Sequence, residues 1–120
     1  MILWLDDIRQ PWNHGYIGAQ WAKTYEDAIR ILETGKVTFA SLDHDLSEAA
    51  TMGCASPGEK TGYSVICWLE DHPQFWPVDG VKVHSMNPSG AMRMRQVIEA
   101  HYGRRFDSLR MQEIQKAMIV

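Results

Sequence analysis

The fold is decided by the stretch VTFASLDHD, residues 37–45, in which a short apolar segment runs directly into acidic residues. Apolar and β-branched residues without alternation are typical of a strand that is covered on both faces. The pattern predicts a buried strand at residues 37–42 that ends at Asp43, His44 and Asp45. In an open parallel α/β sheet, ligands bind beyond the carboxyl ends of the strands. These three polar residues therefore stand where a functional site is expected.

Two other predicted strands also end in polar residues. An unbroken apolar run at residues 2–5 stops at Asp6 and Asp7, and a later strand ends with His84 and Ser85. If the three strands are neighbours in one parallel sheet, their carboxyl ends meet at the same edge. The sequence thus predicts a cluster of acidic and polar side chains at that edge.

Strands and helices alternate along the chain. The strands are predicted at residues 2–5, 20–23, 37–42 and 81–85. Helices are predicted to begin after Thr24, after Thr61 and after the turn at residues 87–90, with each threonine acting as an N-cap. This order favours an α/β domain in which a parallel sheet of four strands has helices on both faces.

The ends of the helices set the predicted domain boundary. The second helix is predicted to end before Pro73, because the residue preceding a proline is disfavoured in the α region, and Gly103 is predicted to end the third. Residues 1–103 are assigned to the α/β domain and residues 104–120 to a helical C-terminal extension packed on it. A loop at residues 46–60 is long for a compact domain, and such loops are often functional.

The composition fits one cytoplasmic domain. With 120 residues and 45% hydrophobic content, the chain can bury a core without disulfides. The formal net charge of −3 argues against a broad basic surface for nucleic acid. No export signal is recognised, and no stretch reaches the roughly 18 apolar residues that a membrane span needs. Because no stretch is long enough to span a membrane, no membrane partner is predicted. Cys54 and Cys67 lack a metal-type spacing, which predicts a reduced compartment.

The predicted edge carries four carboxylates: Asp6, Asp7, Asp43 and Asp45. Like charges that lie close together are costly to keep ionised, and a hard divalent cation relieves their repulsion. Mg²⁺, or Mn²⁺, is therefore the predicted cofactor. A single acidic pair after a strand is more often a helix cap or a solvated loop. The same acidity after two strands favours a shared cation site.

Two histidines lie at the same predicted edge. His44 or His84 could bind a transition metal, act as an acid or base, or cap the end of a strand. Their position makes both of them candidates for catalysis, together with Asp43 and Ser85.

A phosphate-binding side is predicted where the fourth strand turns into the third helix. The N–H groups at a helix N-terminus suit a phosphate oxygen, and Ser85, Asn87 and Gly90 lie in that turn. Arg9 follows the first acidic pair and Arg93 lies in the first turns of the helix, and a guanidinium group matches phosphate geometry. The alternative is that these arginines form ion pairs on the surface.

The chain resembles the receiver domains of phosphorelay response regulators, which have an acidic pair after strand one, an acid after strand three and a hydroxyl after strand four. It is most similar to a divergent group, the cyclic-phosphate processing receiver domains. The resemblance implies a three-layer, flavodoxin-like fold. The matching stretches are LDDIR (5–9), LDHDL (42–46), TGYSV (61–65) and HSMNPSG (84–90).

The resemblance also implies roles for the acidic residues. In receivers the acidic pair and the central aspartate hold Mg²⁺, and the central aspartate accepts phosphoryl; here these are Asp6, Asp7 and Asp43. Asp45 would then contribute its backbone carbonyl. Two departures argue against ordinary phosphorelay signalling: the sequence shows no fifth strand ending in lysine, and a loop at residues 9–19 replaces the first helix.

Three functions are consistent with these residues. The first is a metal-dependent phosphoesterase for cyclic or terminal phosphates of nucleotides or RNA, the activity implied for the divergent group in bacteria and phages. Its partner would be a small phosphorylated ligand or an RNA terminus. The second is a signalling module that accepts phosphoryl on Asp43, or binds a phosphorylated ligand unchanged. The third is a protein-binding module with a relict acidic site.

Overall fold

A sheet of four parallel strands forms the centre of the protein. The computed structural model describes residues 1–47 and 58–118, with residues 105–118 described in their backbone only. The strands are β1 (Ile2–Leu5), β2 (Gln20–Ala22), β3 (Phe39–Leu42) and β4 (Val81–Val83), and the helices are α1 (Tyr25–Leu32), α2 (Gly62–Asp71) and α3 (Pro88–Met118). Two 3-10 turns lie at Pro11–His14 and Pro73–Phe75.

The order of the strands in the sheet is β2-β1-β3-β4. Leu5 pairs with both Ala22 and Leu42, and Leu42 pairs with Val83, so all four strands end at the same level. The ladder continues one residue further, because the N–H of Asp43 donates to the carbonyl of Leu5 at 2.9 Å. The sheet therefore fixes the backbone of Asp43, at the start of the predicted site. The predicted parallel four-stranded fold is confirmed.

One face of the sheet is covered by the three α-helices. Side chains alternate along a strand, so Leu3 and Leu5 of β1 share this face with Leu42 of β3, and all three are fully buried. Burying one such side chain contributes about 1.5–3 kcal/mol. The helices add the buried side chains Ala28, Leu32, Val65, Ile66, Leu69, Ala91, Met94 and Ile98.

The other face of the sheet is covered by the connection between β1 and β2, which contains the 3-10 turn Pro11–His14. Trp4 of β1 points to this side and is 1% exposed. Its Nε1–H donates to the carbonyl of Arg9 at 2.8 Å, and its ring packs on those of His14 and Tyr16, with centroids 5.4 and 5.1 Å away. Among the described residues, the helical element that covers the second face of the sheet is this 3-10 turn.

The first two helices begin where the sequence predicts, whereas α3 begins at Pro88, inside the turn predicted at residues 87–90. The hydroxyl of Thr24 accepts the N–H of Asp27 at 3.1 Å, which caps α1. At the start of α2, the N–H of Thr61 donates to the hydroxyl of Ser64 at 3.0 Å. α2 ends at Asp71, and its C-cap His72 directly precedes Pro73, as predicted.

The third helix is longer than predicted. Gly103 does not end it, because α3 continues as one helix to Met118 and so crosses the predicted boundary at residues 103 and 104. A glycine ends a helix when it adopts a positive φ, and Gly103 does not adopt one. Glycine inside a helix costs about 1 kcal/mol relative to alanine, which lowers stability without interrupting the helix. Whether residues 105–118 pack on the domain lies outside the described side chains.

Three of the strands are shorter than predicted, by one to two residues each. The ends of the loop predicted at residues 46–60 contain neither helix nor strand where they are described. Residues 48–57 of this loop, with Cys54, lie outside the described part of the chain. None of the described helices is both long enough and apolar enough to cross a membrane.

Candidate functional site

Three carboxylates meet where β1 and β3 end. Asp6 and Asp43 directly follow these adjacent strands, and Asp7 follows Asp6. Each of the three offers one oxygen, and these oxygens all lie within 4.8 Å of one another. Asp6 is 1% exposed and Asp43 is 4% exposed. Such a set suits a hard divalent cation, which prefers carboxylate and water oxygens.

The carboxylate of Asp6 is held by four groups. Its Oδ1 accepts the backbone N–H groups of Ile8 and Arg9 at 2.9 and 2.8 Å, a local turn that orients the side chain. Its Oδ2 lies 3.1 Å from Nε2 of His84 and 3.4 Å from Nε of Arg9. These contacts give Asp6 one orientation, with both oxygens engaged.

Burial and mutual repulsion act differently on the three carboxylates. Burial alone would raise the pKa of Asp6, but hydrogen bonds from His84 and from two backbone N–H groups bring it below its usual value. Burial raises the pKa of Asp7, and the charges of Asp6 and Asp45 raise it further. Burial also raises the pKa of Asp43, followed by the charge of Asp6. A bound cation would favour the ionised form of each.

His84 lies next to Asp6 of the acidic cluster, and both of its ring nitrogens form hydrogen bonds. An ionised carboxylate only accepts hydrogen bonds, so Nε2–H of His84 donates to Asp6; Nδ1 then accepts the hydroxyl of Ser41 at 2.7 Å when the imidazole is neutral. The ring of Trp4 stacks on His84 with centroids 3.9 Å apart and planes 4° apart. The imidazole is fixed on three sides, which suits a role in positioning Asp6.

His44 is oriented differently. Its Nδ1–H donates to Oδ1 of Asp45 at 2.8 Å, and the amide of Asn87 donates to the same oxygen at 3.4 Å. Within the described part of the chain, Nε2 of His44 has no hydrogen-bond partner, and the side chain is 18% exposed. A neutral imidazole bonded through Nδ1–H presents a lone pair at Nε2. His44 can therefore act as a base whose orientation Asp45 sets.

The ring of His44 packs on the first turn of α3. A Cβ added to Gly90 would lie 2.6 Å from Cγ and Cδ2 of His44. The close approach requires a residue without a side chain. Gly90 thus positions the histidine, while its N–H donates to Oδ1 of Asn87 at 3.0 Å as part of the helix cap.

The predicted phosphate-binding residues lie around this cap. Ser85 accepts the backbone N–H of Asn87 at 3.1 Å, so its hydroxyl orders the turn that follows β4. Arg9 donates through Nη1 to the carbonyl of His84 at 3.2 Å, in addition to its contact with Asp6. Arg93 is exposed, and its guanidinium lies 4.6 Å from the ring centroid of Tyr63.

The four predicted metal ligands are not equivalent. Asp6, Asp7 and Asp43 form the compact cluster, whereas the carboxylate of Asp45 is bonded to His44 and to Asn87. Asp45 is still close enough to Asp7 for its charge to raise the pKa of that residue.

Two residues of the site were missed by the sequence reasoning. Ser41 lies inside β3, is fully buried and bonds His84, while Trp4 in β1 supports the same ring. A hydroxyl inside an apolar strand is a signal that could have drawn attention to Ser41, since a buried polar group needs a partner.

Comparison with known families identifies the family of the chain. A family described as the cyclic-phosphate processing receiver domain matches residues 1–100. The match spans all four strands and includes every residue of the acidic edge. No curated protein and no solved structure matches the chain. The chain has a receiver-like α/β fold and belongs to the cyclic-phosphate processing receiver domain family.

Proposed function

We propose that this domain is a divalent-cation-dependent phosphoesterase for cyclic or terminal phosphates of nucleotides or RNA. The observation that carries the proposal is the cluster of Asp6, Asp7 and Asp43, whose carboxylate oxygens lie within 4.8 Å of one another. Mg²⁺ or Mn²⁺ bound there would polarise a phosphoryl oxygen and lower the pKa of a bound water. The proposal keeps the cytoplasmic location predicted from the sequence.

His44 is proposed as the general base and acid. Its Nε2, which has no hydrogen-bond partner among the described residues, can take a proton from the attacking water as the new P–O bond forms. The same proton can then go to the ribose oxygen as the old P–O bond breaks. Asp45 holds the imidazole in the required tautomer. Such a group contributes roughly 10²- to 10⁴-fold to a rate.

Two arginines are proposed to supply the positive charge that stabilises the phosphoryl oxygens. Arg9 lies against Asp6, and Arg93 lies on the outer side of α3. Guanidinium groups stabilise charge that develops on phosphoryl oxygens. Ser85 and Asn87 are proposed to shape the turn on which the phosphate lies.

The test is hydrolysis of nucleoside 2′,3′-cyclic monophosphates with Mg²⁺, with Mn²⁺ and with EDTA. We expect turnover that needs the cation and is lost in Asp43→Asn. Asp79→Asn is a matched control, since Asp79 is exposed and precedes β4, at the opposite end of the sheet. Cation binding at the acidic cluster without turnover of any cyclic or terminal phosphate would overturn the enzymatic proposal.

A second candidate function is phosphoryl acceptance on Asp43 without further turnover. It is favoured by the position of Asp43 directly after the central strand β3, where receivers carry their acceptor, and by its hydrogen bond from the N–H of His44 at 2.8 Å. That bond occupies Oδ1, which leaves Oδ2 as the nucleophile. Incubation with acetyl phosphate and measurement of the intact mass would detect the adduct; its absence in the wild type would exclude this candidate.

A further inference from the structure

In the part of the chain that the structure describes, a cleft lies between α1 and α2. Its volume is about 320 Å³, which is at the lower end of the range for small-molecule sites. Three aromatic side chains, from Tyr25, Tyr63 and Trp68, form much of its wall. Lys60 and Asp71 add a cation and an anion to the lining. A cleft of this size admits one planar group with a few polar contacts.

The upper end of the cleft lies beside the acidic cluster. Helices that follow parallel strands begin at the carboxyl edge of the sheet, and Gly62, the first residue of α2, donates its N–H to the carbonyl of His44 at 2.8 Å. A Cβ added to Gly62 would overlap the carbonyl oxygen of Asp43. Tyr63 is the next residue, so this wall of the cleft adjoins the phosphate-handling edge. From there the cleft follows α2 to Asp71, about 12 Å along the helix axis.

The charges are distributed unevenly along the cleft. At the upper end, the ammonium of Lys60 lies 5.2 Å from the ring centroid of Tyr25. Outside the cleft lining, the guanidinium of Arg93 on α3 lies 4.6 Å from the ring centroid of Tyr63. Both cations are exposed at the end that adjoins the acidic edge, where a phosphate would lie. At the lower end, the carboxylate of Asp71 can accept hydrogen bonds, as carboxylates do from the amino group of a base.

These features match a ligand with a phosphate at one end and an aromatic ring with amino groups at the other. We propose that the cleft binds the base of a nucleotide whose phosphate lies at the acidic edge. The inference rests on the proposed function of that edge and deepens it: the nucleotide is held through its base, so that a sugar phosphate without a base binds less tightly. Stacking of a base on an aromatic side chain strengthens binding by at least about fivefold.

The test compares two ligands by calorimetry in Mg²⁺, adenosine 2′-phosphate and ribose 5-phosphate, which has no base. We expect the wild type to bind the adenosine compound at least about fivefold more tightly. Tyr63→Leu should remove this preference, and Tyr63→Phe, which keeps the ring, should retain it. Trp12→Leu is the control, because Trp12 is exposed and lies on the other face of the sheet.

Equal affinity of the wild type for the two ligands, or an undiminished preference in Tyr63→Leu, would overturn the inference. Tyr25→Leu alters the opposite wall of the cleft and replaces Tyr63→Leu if that variant does not fold. If neither phosphate compound binds to the wild type, the proposed function of the edge fails. The cleft is then tested by the binding of adenosine, which has no phosphate. Adenosine binding that Tyr63→Leu abolishes would then support the cleft, and no binding of adenosine would overturn it.

Discussion

Two successive hydrogen bonds position the carboxylate of Asp6, and the first involves Ser41 in the adjacent strand β3. Ser41 bonds Nδ1 of His84, and Nε2 of His84 bonds Asp6, at 2.7 and 3.1 Å. Groups that hold a metal ligand in place are worth about 10- to 100-fold in metal affinity. A hydroxyl that never touches a ligand can therefore act on the cation site, because it sets the tautomer and the orientation of the imidazole.

We predict that Ser41→Ala weakens Mg²⁺ or Mn²⁺ binding by about 10- to 100-fold. Loss of the hydroxyl leaves Nδ1 of His84 without a partner, at a cost of about 1–3 kcal/mol. Calorimetric titration with Mn²⁺ measures the affinity, and thermal melting in EDTA measures the stability. Thr34→Ala, which removes an exposed hydroxyl after α1, should alter neither by a comparable amount. Unchanged Mn²⁺ affinity in Ser41→Ala would show that His84 does not position Asp6.

His44 should behave in the opposite way. We predict that His44→Gln lowers kcat for a 2′,3′-cyclic nucleotide by about 10²- to 10⁴-fold and leaves Mn²⁺ affinity nearly unchanged, since the imidazole is not among the clustered ligands. Asp45→Asn should give a smaller loss of kcat, because it alters the tautomer that Nδ1 adopts. Steady-state kinetics at saturating Mn²⁺ separates the two effects. A loss of metal affinity in His44→Gln would assign the histidine to the cation instead.

The carboxylates of the site could be predicted from the sequence, whereas the contacts that position them could not. Asp6, Asp7 and Asp43 could be found because each follows a recognisable apolar strand, and strand ends are visible in a linear pattern. The partnership of Ser41 with His84 could not be found. These residues are 43 positions apart, and their contact depends on which strands are neighbours and on their register.

At the scale of the elements, two helices approach the site through glycines. α2 begins at Gly62 against the carbonyl of Asp43, and the first turn of α3 brings Gly90 against the ring of His44. A helix can come this close to a strand end only where its backbone carries no side chain. The two glycines thus set the distance between the helices and the polar edge of the sheet.

Gly90→Ala tests this distance. A Cβ placed 2.6 Å from the imidazole of His44 must displace it from Asp45. Because small misplacements of a catalytic group can cost about 10²-fold, we predict a loss of at least tenfold in kcat. Gly103→Ala is the matched control in the same helix, where an added Cβ meets no described atom within 4 Å. That variant should keep full activity and gain about 0.5–1 kcal/mol of stability. Full activity in Gly90→Ala would contradict the proposed role of His44.

The elements themselves were largely predictable, since caps, prolines and apolar periods are local signals. Thr24 and Thr61 mark helix starts, and the residue before Pro73 marks a helix end, as found. The length of α3 was not predictable in this way. Gly103 permits an αL conformation without requiring it, so the same residue can end a helix or lie within one.

At the scale of the molecule, the sheet gathers three carboxylates, one of which, that of Asp6, is in contact with Arg9. Its order, β2-β1-β3-β4, makes β1 and β3 neighbours and so brings Asp6 and Asp7 beside Asp43. The apolar patterns do not specify which strands are neighbours, so this order could not be derived from them. A cation site needs the ionised form of Asp43, but burial and the neighbouring charge of Asp6 disfavour that form. The requirements of function and of stability therefore conflict at this residue.

This conflict predicts that Asp43→Asn stabilises the cation-free protein at neutral pH. The pKa of Asp43 is raised above 3.8 in the folded chain, so the folded chain holds this proton more tightly than the unfolded chain. The stability that the group contributes is fully present below the unfolded pKa and is lost as the pH rises through the folded pKa. Wherever Asp43 is ionised in the folded wild type this contribution is lost, whereas asparagine has no charge to repel and can still accept the N–H of His44.

In EDTA at neutral pH we therefore expect Asp43→Asn to melt above the wild type, by about 4 °C for each kcal/mol of relieved repulsion. The difference should shrink as the pH falls toward the folded pKa of Asp43. The opposite shift of Asp6, whose pKa is lowered, is present in both proteins and largely cancels in the comparison.

Excess Mg²⁺ should reverse the order of the two proteins. A cation at 100 times its Kd adds about 2.7 kcal/mol to the wild type, and the variant should gain much less because it lacks one of the three clustered carboxylates. Differential scanning calorimetry at several pH values, with EDTA and with Mg²⁺, measures all four states. If the variant melts below the wild type in EDTA, the cluster is not under repulsion. If Mg²⁺ raises both melting temperatures equally, the cation binds elsewhere.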